Sequence, residues 1–251
     1  MQRKIEVCVT PALLGLYDIK DSIVVVIDIL RATSSIVYGI DNGANAIIPV
    51  ANVEDCLNYT DNGYLLAAER NGSVVDGYDF GNSPFSYTKE RVGGKTVVLT
   101  TTNGTKALHM ARSRAKQVVV GSFLNLQSLS NWLKTQDNDV LLLCAGWKDH
   151  FNLEDTLFAG AVVNAIRAGF TEFDDSCVAA EDLYLLAKNN LRAYISKSSH
   201  SHRLAALNIE EDVQFCLQLN ICDAIPVLIG DNLVRLQLDQ IPESSLTEHV
   251  N

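Results

Sequence analysis

Three apolar runs in this chain each end in a short polar turn and pass directly into a helical pattern. Val24-Val25-Val26-Ile27 runs into Asp28-Ile29-Leu30-Arg31-Ala32-Thr33, and Val97-Val98-Leu99 into Thr100-Thr101-Thr102-Asn103-Gly104-Thr105. Val140-Leu141-Leu142-Leu143 runs into Cys144-Ala145-Gly146 and reaches a helix after Asn152. A strand with no polar alternation is a buried strand, and strands joined through helices belong to a sheet with parallel pairing. The polar turns between them are where such folds place their chemistry.

Apolar periodicity along the rest of the chain predicts strands over 4–9, 23–29, 45–50, 64–67, 95–99, 117–121, 140–144 and 226–229. Helices are predicted over 33–41, 53–60, 104–113, 126–135, 153–168, 174–191 and 202–219. The alternation implies a layered α/β/α fold with a largely parallel or mixed sheet. Val25-Val26 matches Val97-Val98, Ala32-Thr33 matches Gly104-Thr105 and, after one gap, Ile47-Ile48 matches Val118-Val119. The match suggests two similar α/β halves, 1–93 and 94–240, able to form one compact unit, followed by a polar tail at 241–251. The turns after 23–29, 95–99 and 140–144 are expected at one edge of the sheet, and the loop region 71–92 over the cleft.

The turn at Thr100 to Thr105 directs hydroxyls, backbone N–H groups and the positive end of a helix dipole at one place. That place suits a phosphate, a sulfate or a carboxylate. The turn after the first run differs, because Asp28 and Arg31 put a carboxylate and a guanidinium there. In the third unit Asn152 is a good N-cap, and Glu154 and Asp155 fall in the first helical turn, where the dipole alone accounts for them. Glu69 and Asp79 also lie at element ends. Carboxylates gathered in loops beside an anion-binding turn suit Mg²⁺, which takes oxygen ligands, keeps waters and bridges to phosphate.

Asp28-Ile29-Leu30-Arg31-Ala32-Thr33 resembles the "D-x-L-R-A-T" turn of the 2-phosphosulfolactate phosphatase family. The resemblance continues in order through Glu69-Arg70, Gly77-Tyr78-Asp79-Phe80-Gly81-Asn82-Ser83-Pro84, Thr101-Thr102-Asn103-Gly104-Thr105 and Gly121-Ser122-Phe123-Leu124-Asn125. It ends with Cys144-Ala145-Gly146 and Phe151-Asn152-Leu153-Glu154-Asp155, and is weaker beyond, at Asp212 to Leu217 and Ile225-Pro226-Val227. Each motif is weak alone; six in one order are specific. Asn71-Gly72 departs from the two glycines that more often follow Glu-Arg in the family. The resemblance implies a Mg²⁺-dependent phosphatase that releases phosphate from 2-phospho-3-sulfolactate. In methanogens that step leads towards coenzyme M, and bacterial members serve sulfolactate production.

Phosphate-monoester hydrolysis needs charge neutralisation on the phosphoryl oxygens, an aligned nucleophile and a stabilised leaving alkoxide. Asp28 and Arg31 are therefore the candidate catalytic residues. Asp28 is open to three roles, as metal ligand, general base or covalent nucleophile, with Leu30 standing where aspartyl-phosphate phosphatases carry a second Asp. Arg70, Asn82, Thr102, Asn103, Gly104 and Thr105 are the candidate substrate-binding residues. Asp28, Glu69, Glu154 and Asp155 are the candidate metal ligands. His109 reads as structural, His150 as an outside candidate for the cleft, and His200 and His202 as capping or solvated residues of a Ser-rich loop.

The net charge of −10 over 251 residues argues against a nucleic-acid partner and repels anions at long range. A small phosphorylated substrate then needs local positive charge from Arg31, Arg70, Lys106, Lys148 or a metal. The apolar runs are strand-sized and predict no membrane span. Six scattered cysteines with no Cys-x-x-Cys read as buried hydrophobes in a reduced cytoplasm. A homo-oligomer is left open. Two other readings fit less well: a phosphatase for another phosphorylated hydroxy acid, and a non-catalytic anion-binding protein, which would not need the acids.

Overall fold

The computed structural model describes residues 3–205, 207 and 209–237. Within them one sheet of eleven strands organises the chain. In chain order the strands are β1 (Lys4–Cys8), β2 (Ser22–Ile27), β3 (Ala46–Pro49), β4 (Leu65–Arg70), β5 (Ser73–Val74), β6 (Thr96–Thr100), β7 (Gln117–Gly121), β8 (Asp139–Cys144), β9 (Glu172–Phe173), β10 (Pro226–Ile229) and β11 (Asn232–Arg235). Their order across the sheet is β5-β4-β6-β3-β11-β10-β7-β2-β8-β1-β9. The helices are α1 (Ala32–Asp41), α2 (Val53–Cys56), α3 (Lys89–Val92), α4 (Gly104–Arg112), α5 (Leu126–Lys134), α6 (Leu153–Ile166), α7 (Asp175–Ala187), α8 (Leu191–Ile195), α9 (Ser199–Ala205) and α10 (Glu210–Cys216).

β2 explains why apolar runs without alternation appear in the sequence. Its even residues, Val24 and Val26, pack with Ile36, Val37 and Ile40 of α1 and Ala107, Leu108 and Ala111 of α4. Its odd residues, Ile23, Val25 and Ile27, pack on the other face with Leu129 of α5, Phe158 and Val162 of α6 and Ala180 of α7. Both faces are thus dry, and the layers run helix, sheet, helix. A smaller cluster, Ile48, Leu66, Val98 and Cys56, closes the far face of the other half of the sheet. α6 and α7 touch backbone to backbone, since a Cβ on Gly160 would fall 1.9 Å from the Ala180 carbonyl oxygen.

The sheet is built symmetrically about the β10–β11 hairpin. β3 and β6 pair in parallel on one side, β2 and β7 in parallel on the other, and the hairpin joins the groups through antiparallel contacts. Strands of segment 1–93 and of segment 94–240 therefore alternate in one sheet. The aligned pairs β2 with β6, α1 with α4 and β3 with β7 occupy equivalent places in that order.

The antiparallel hairpin reverses strand direction. In the ladder, the C-terminal ends of β6 and β2 lie at opposite edges, so the expectation of one shared edge is corrected. The turns meet nonetheless, because five ladder steps separate β6 from β2. At roughly 20–25° of twist per step the two groups rotate by more than about 100°, and α1 and α4 pack on the same face.

Other differences are local. The helix expected over 174–191 ends at Ala187, and Asn190 caps a new one by accepting from the Ala193 N–H at 3.0 Å. The helix expected over 202–219 is two short ones, α9 and α10. The sequence reading passed over β5, β9 and β11, of which the first two have only two residues each. The tail expected at 241–251 lies outside the described residues. No helix among the described residues is long and apolar enough to cross a membrane.

Candidate active site

Asp28 follows β2 and opens the turn into α1. Its N–H donates to Thr33 Oγ1 at 3.0 Å, and the Thr33 N–H donates back to the Asp28 carbonyl at 2.9 Å. The next residue is tied elsewhere: the Ile29 N–H donates to Asp155 Oδ1 at 2.9 Å, and the Gly146 N–H to Asp155 Oδ2 at 3.0 Å. Asp155 therefore clamps the ends of β2 and β8 together. Both its oxygens accept from backbone N–H groups, so it serves as an anchor for the two strand ends.

α4 brings its N-terminus to Asp28. A Cβ placed on Gly104 would lie 2.9 Å from Asp28 Oδ2 and 2.9 Å from the Ala32 Cβ. The first residues of α1 and α4 are thus in contact, and two positive helix ends converge on the Asp28 carboxylate. Gly104 is needed for this approach. Its φ is not positive, so the turn does not rely on the left-handed region.

Asp28, Arg31, Glu69, Asn82, Asn103 and His200 line one cavity of about 320 Å³. Burial pushes the Asp28 carboxyl up to about 7; the charges of Glu69 and Glu154 push the same way, while His200 and the Ala32 N–H oppose them. Glu154, at the start of α6, is wholly buried; its Oε1 pairs with His200 Nδ1, and its Oε2 has no hydrogen-bond partner among the described residues. Glu69 accepts through Oε1 from the Gly72 N–H and through Oε2 from the Thr102 N–H and hydroxyl, each at 3.4 Å.

The other expected residues divide. Asn103 lines the cavity and accepts the Lys148 N–H at 3.0 Å. Asn82 lines it too, and its Oδ1 has no partner among the described residues. Thr105 turns inward instead: its hydroxyl donates to the Thr101 carbonyl at 3.1 Å, and its N–H to Thr101 Oγ1 at 3.3 Å. Arg31 lines the cavity with its guanidinium already committed, Nη1 to Asp212 and Nη2 to the Gly72 carbonyl at 2.7 Å. Arg70 is a correction. Successive residues of a strand point to opposite faces, so with Glu69 in the cavity Arg70 lies on the other side, donating to Thr100 Oγ1 at 3.0 Å. Lys106 pairs with Asp149 at 2.7 Å in an exposed bridge.

Residues 8–231 match the family model described as 2-phosphosulpholactate phosphatase. This chain belongs to the 2-phosphosulfolactate phosphatase family. A protein of Thermotoga petrophila named probable 2-phosphosulfolactate phosphatase is 42% identical over 206 residues, covering 82% of this chain and 88% of that one. Proteins under the same name from Caldanaerobacter subterraneus subsp. tengcongensis and Clostridium novyi are 39% and 38% identical, covering 88% and 83% of this chain and 93% and 89% of theirs.

In this family member several cavity residues escaped the sequence reading. His200 is buried against Glu154 rather than solvated. Trp147 stacks beside His200 with ring centroids 5.8 Å apart, and Arg203 lies over the indole at 4.7 Å from its centroid. Asp212 holds Arg31 and also accepts from the Ser83 hydroxyl at 2.9 Å. His150, by contrast, is exposed in the turn that follows Trp147. The resemblance already reached Asp212. The Ser199-His200-Ser201-His202 run gave no signal, because its partners Glu154 and Trp147 are some fifty residues away in sequence.

Proposed function

We propose that this chain hydrolyses 2-phospho-3-sulfolactate to 3-sulfolactate and phosphate with Mg²⁺. The observation that carries the reading is the meeting of two buried carboxylates, Asp28 and Glu69, with the N-terminal turn of α4 at one cavity. The family and its named relatives supply the substrate; the cavity supplies a chemistry that suits it.

The donor set fits Mg²⁺. Two carboxylates, Asp28 and Glu69, line one cavity, and Glu154, paired with the lining residue His200, has a buried Oε2 with no partner among the described residues. Those residues hold no ready-made group of three or more His, Cys, Asp or Glu ligands. Mg²⁺ commonly takes one or two protein carboxylates and completes its shell with waters and phosphate oxygens. Asp28 and Glu69, the two carboxylates that line the cavity, would hold it. When bound, the ion neutralises charge on the phosphoryl oxygens and on the leaving alkoxide.

The chain's own groups do the rest. Backbone N–H groups at the start of α4, with the side chain of Asn103, bind the phosphoryl oxygens. Asp28 would accept the proton of the attacking water at a carboxylate oxygen as the phosphorus–oxygen ester bond breaks, and the leaving alkoxide would take a proton from solvent. Asp155 keeps the Asp28 turn in place, and Asp212 keeps Arg31 from neutralising the acids. Six cysteines, all free and buried, support a reducing cytoplasmic setting.

Phosphate release by the purified protein tests the reading. 2-Phospho-3-sulfolactate, 2-phospholactate, 2-phosphoglycerate and p-nitrophenyl phosphate are compared in Mg²⁺ and in EDTA. The sulfonated ester is expected to have the highest kcat/KM, and EDTA to abolish turnover. Preference for another ester would move the substrate within the phosphatases, and full activity in EDTA would remove the metal.

A further inference from the structure

We infer that Arg203, on α9, is the specificity-determining residue that binds the sulfonate of the substrate. The inference rests on the proposed substrate and goes beyond it by assigning a subsite. It starts from a shortage of cations. The cavity holds the acids Asp28 and Glu69, yet its substrate carries a phosphate, a carboxylate and a sulfonate. Arg31 has both terminal nitrogens committed to Asp212 and the Gly72 carbonyl. Arg70 faces the other side of the sheet, Lys106 is paired with Asp149, and Lys148 does not line the cavity. Mg²⁺ and the start of α4 serve the phosphoryl group. A second oxyanion needs another cation.

Arg203 lines the same cavity. Its guanidinium carbon lies 4.7 Å from the Trp147 ring centroid, so the indole fixes the guanidinium plane and leaves the N–H edge for a ligand. Among the described residues its Nη1 reaches only Ser199 Oγ, at 3.4 Å. Its Nη2 is shielded from solvent and has no hydrogen-bond partner among the described residues. A buried N–H group left unpaired is costly, and a ligand oxyanion is what would satisfy it. Leu204 and Leu207 form the neighbouring wall. A sulfonate is a weakly hydrated anion, matched to a weakly hydrated guanidinium against an apolar wall.

The test compares wild type, Arg203→Ala and Arg203→Lys as full chains in Mg²⁺, on 2-phospho-3-sulfolactate and on 2-phospholactate, which carries a methyl group in place of the sulfonate arm. The readout is the ratio of the two kcat/KM values, which does not depend on the fraction of protein folded. Arg203→Ala is expected to lower the ratio at least roughly tenfold, the scale of one charge-assisted hydrogen bond, mainly through KM for the sulfonated ester. Arg203→Lys should restore part of it, keeping the charge and losing the fork. An unchanged ratio, whether from equal losses or from none, overturns the inference and leaves the phosphatase reading intact. If wild type does not hydrolyse the sulfonated ester, the substrate reading fails separately. Calorimetric titration with 3-sulfolactate then decides: binding by wild type and not by Arg203→Ala upholds the subsite, and any other result overturns it.

Discussion

Asp28 offers a sharp test, because the same feature should weaken the fold and enable the reaction. Its carboxyl moves from an ordinary 3.8 to about 7 on folding, driven first by burial. The folded state therefore keeps a proton that the unfolded chain releases, and stability falls as pH rises from about 4 to about 7. At roughly 1.4 kcal/mol per pH unit, the ionised group opposes folding by about 4 kcal/mol above pH 7 in metal-free protein. Asn has the same shape and cannot ionise. Asp28→Asn should therefore stabilise the protein by about 2 kcal/mol at pH 5 and by about 4 kcal/mol at pH 8, on the same relation. Urea unfolding in EDTA at both pH values measures this. Turnover should fall by at least roughly 10²-fold, the scale of losing an acid–base group. Adding Mg²⁺ should stabilise wild type more than the variant, since a ligand of the folded state raises stability by mass action. An equal gain at pH 5 and pH 8, or a loss at pH 8, would refute the burial argument. Normal turnover would leave Asp28 a structural turn residue.

Three further changes probe the neighbours of Asp28. Gly104→Ala forces a methyl group to within 2.9 Å of Asp28 Oδ2 and of the Ala32 Cβ. It should cost about 1–3 kcal/mol by overpacking and lower kcat with it, whereas Gly15→Ala, whose Cβ meets nothing within 4 Å, should alter neither; thermal melts and kinetics on the pair decide. Asp155→Asn can no longer accept from both the Ile29 and Gly146 N–H groups without turning an NH₂ onto one of them, and should lose about 1–3 kcal/mol in urea titrations. Arg70→Ala removes a guanidinium from the far face of the sheet, so KM for the sulfonated ester should stay within about twofold of wild type; a rise near that of a lost charged hydrogen bond would put Arg70 back in the cavity.

Much of the fold was legible because it depends on local pattern. Runs such as Val24 to Ile27 and Val140 to Leu143 are covered on both faces, so burial removes polar alternation and marks the strands. Of the strands outside the predicted set, Ser73–Val74 and Glu172–Phe173 have two residues each at the sheet edges, too short for a pattern. The reversal of strand direction was hidden because the β10–β11 hairpin lies far along the chain from both strands it separates, β3 (Ala46–Pro49) and β7 (Gln117–Gly121). In the site, Asp28, Glu69 and Asn103 were visible from the motifs that carry them. Whether a motif residue faces the cavity was not: Glu69 and Arg70 are neighbours in sequence, and strand alternation alone puts one in and one out. His200 and Arg203 depend on contacts with Glu154 and Trp147, and no local spacing encodes contacts of that range.

The symmetry of the sheet gives the site its chemical division. α1 and α4 hold equivalent places, and they touch where Ala32 meets Gly104, the very residues the two repeated segments align. A pair of helix N-termini brought together at such a point attracts negative charge whatever the side chains are. Had both turns kept hydroxyls, the point would bind an anion and do nothing more. Here the turn after β2 places Asp28 against the positive ends, while the turn after β6 spends its hydroxyls on its own backbone and on Glu69, leaving N–H groups and Asn103 towards the cavity. On the proposed mechanism, the first turn would supply the proton acceptor and the second the phosphoryl cradle. The close approach at Gly104 holds the two turns together, so a larger side chain there should separate binding from turnover before it unfolds the chain.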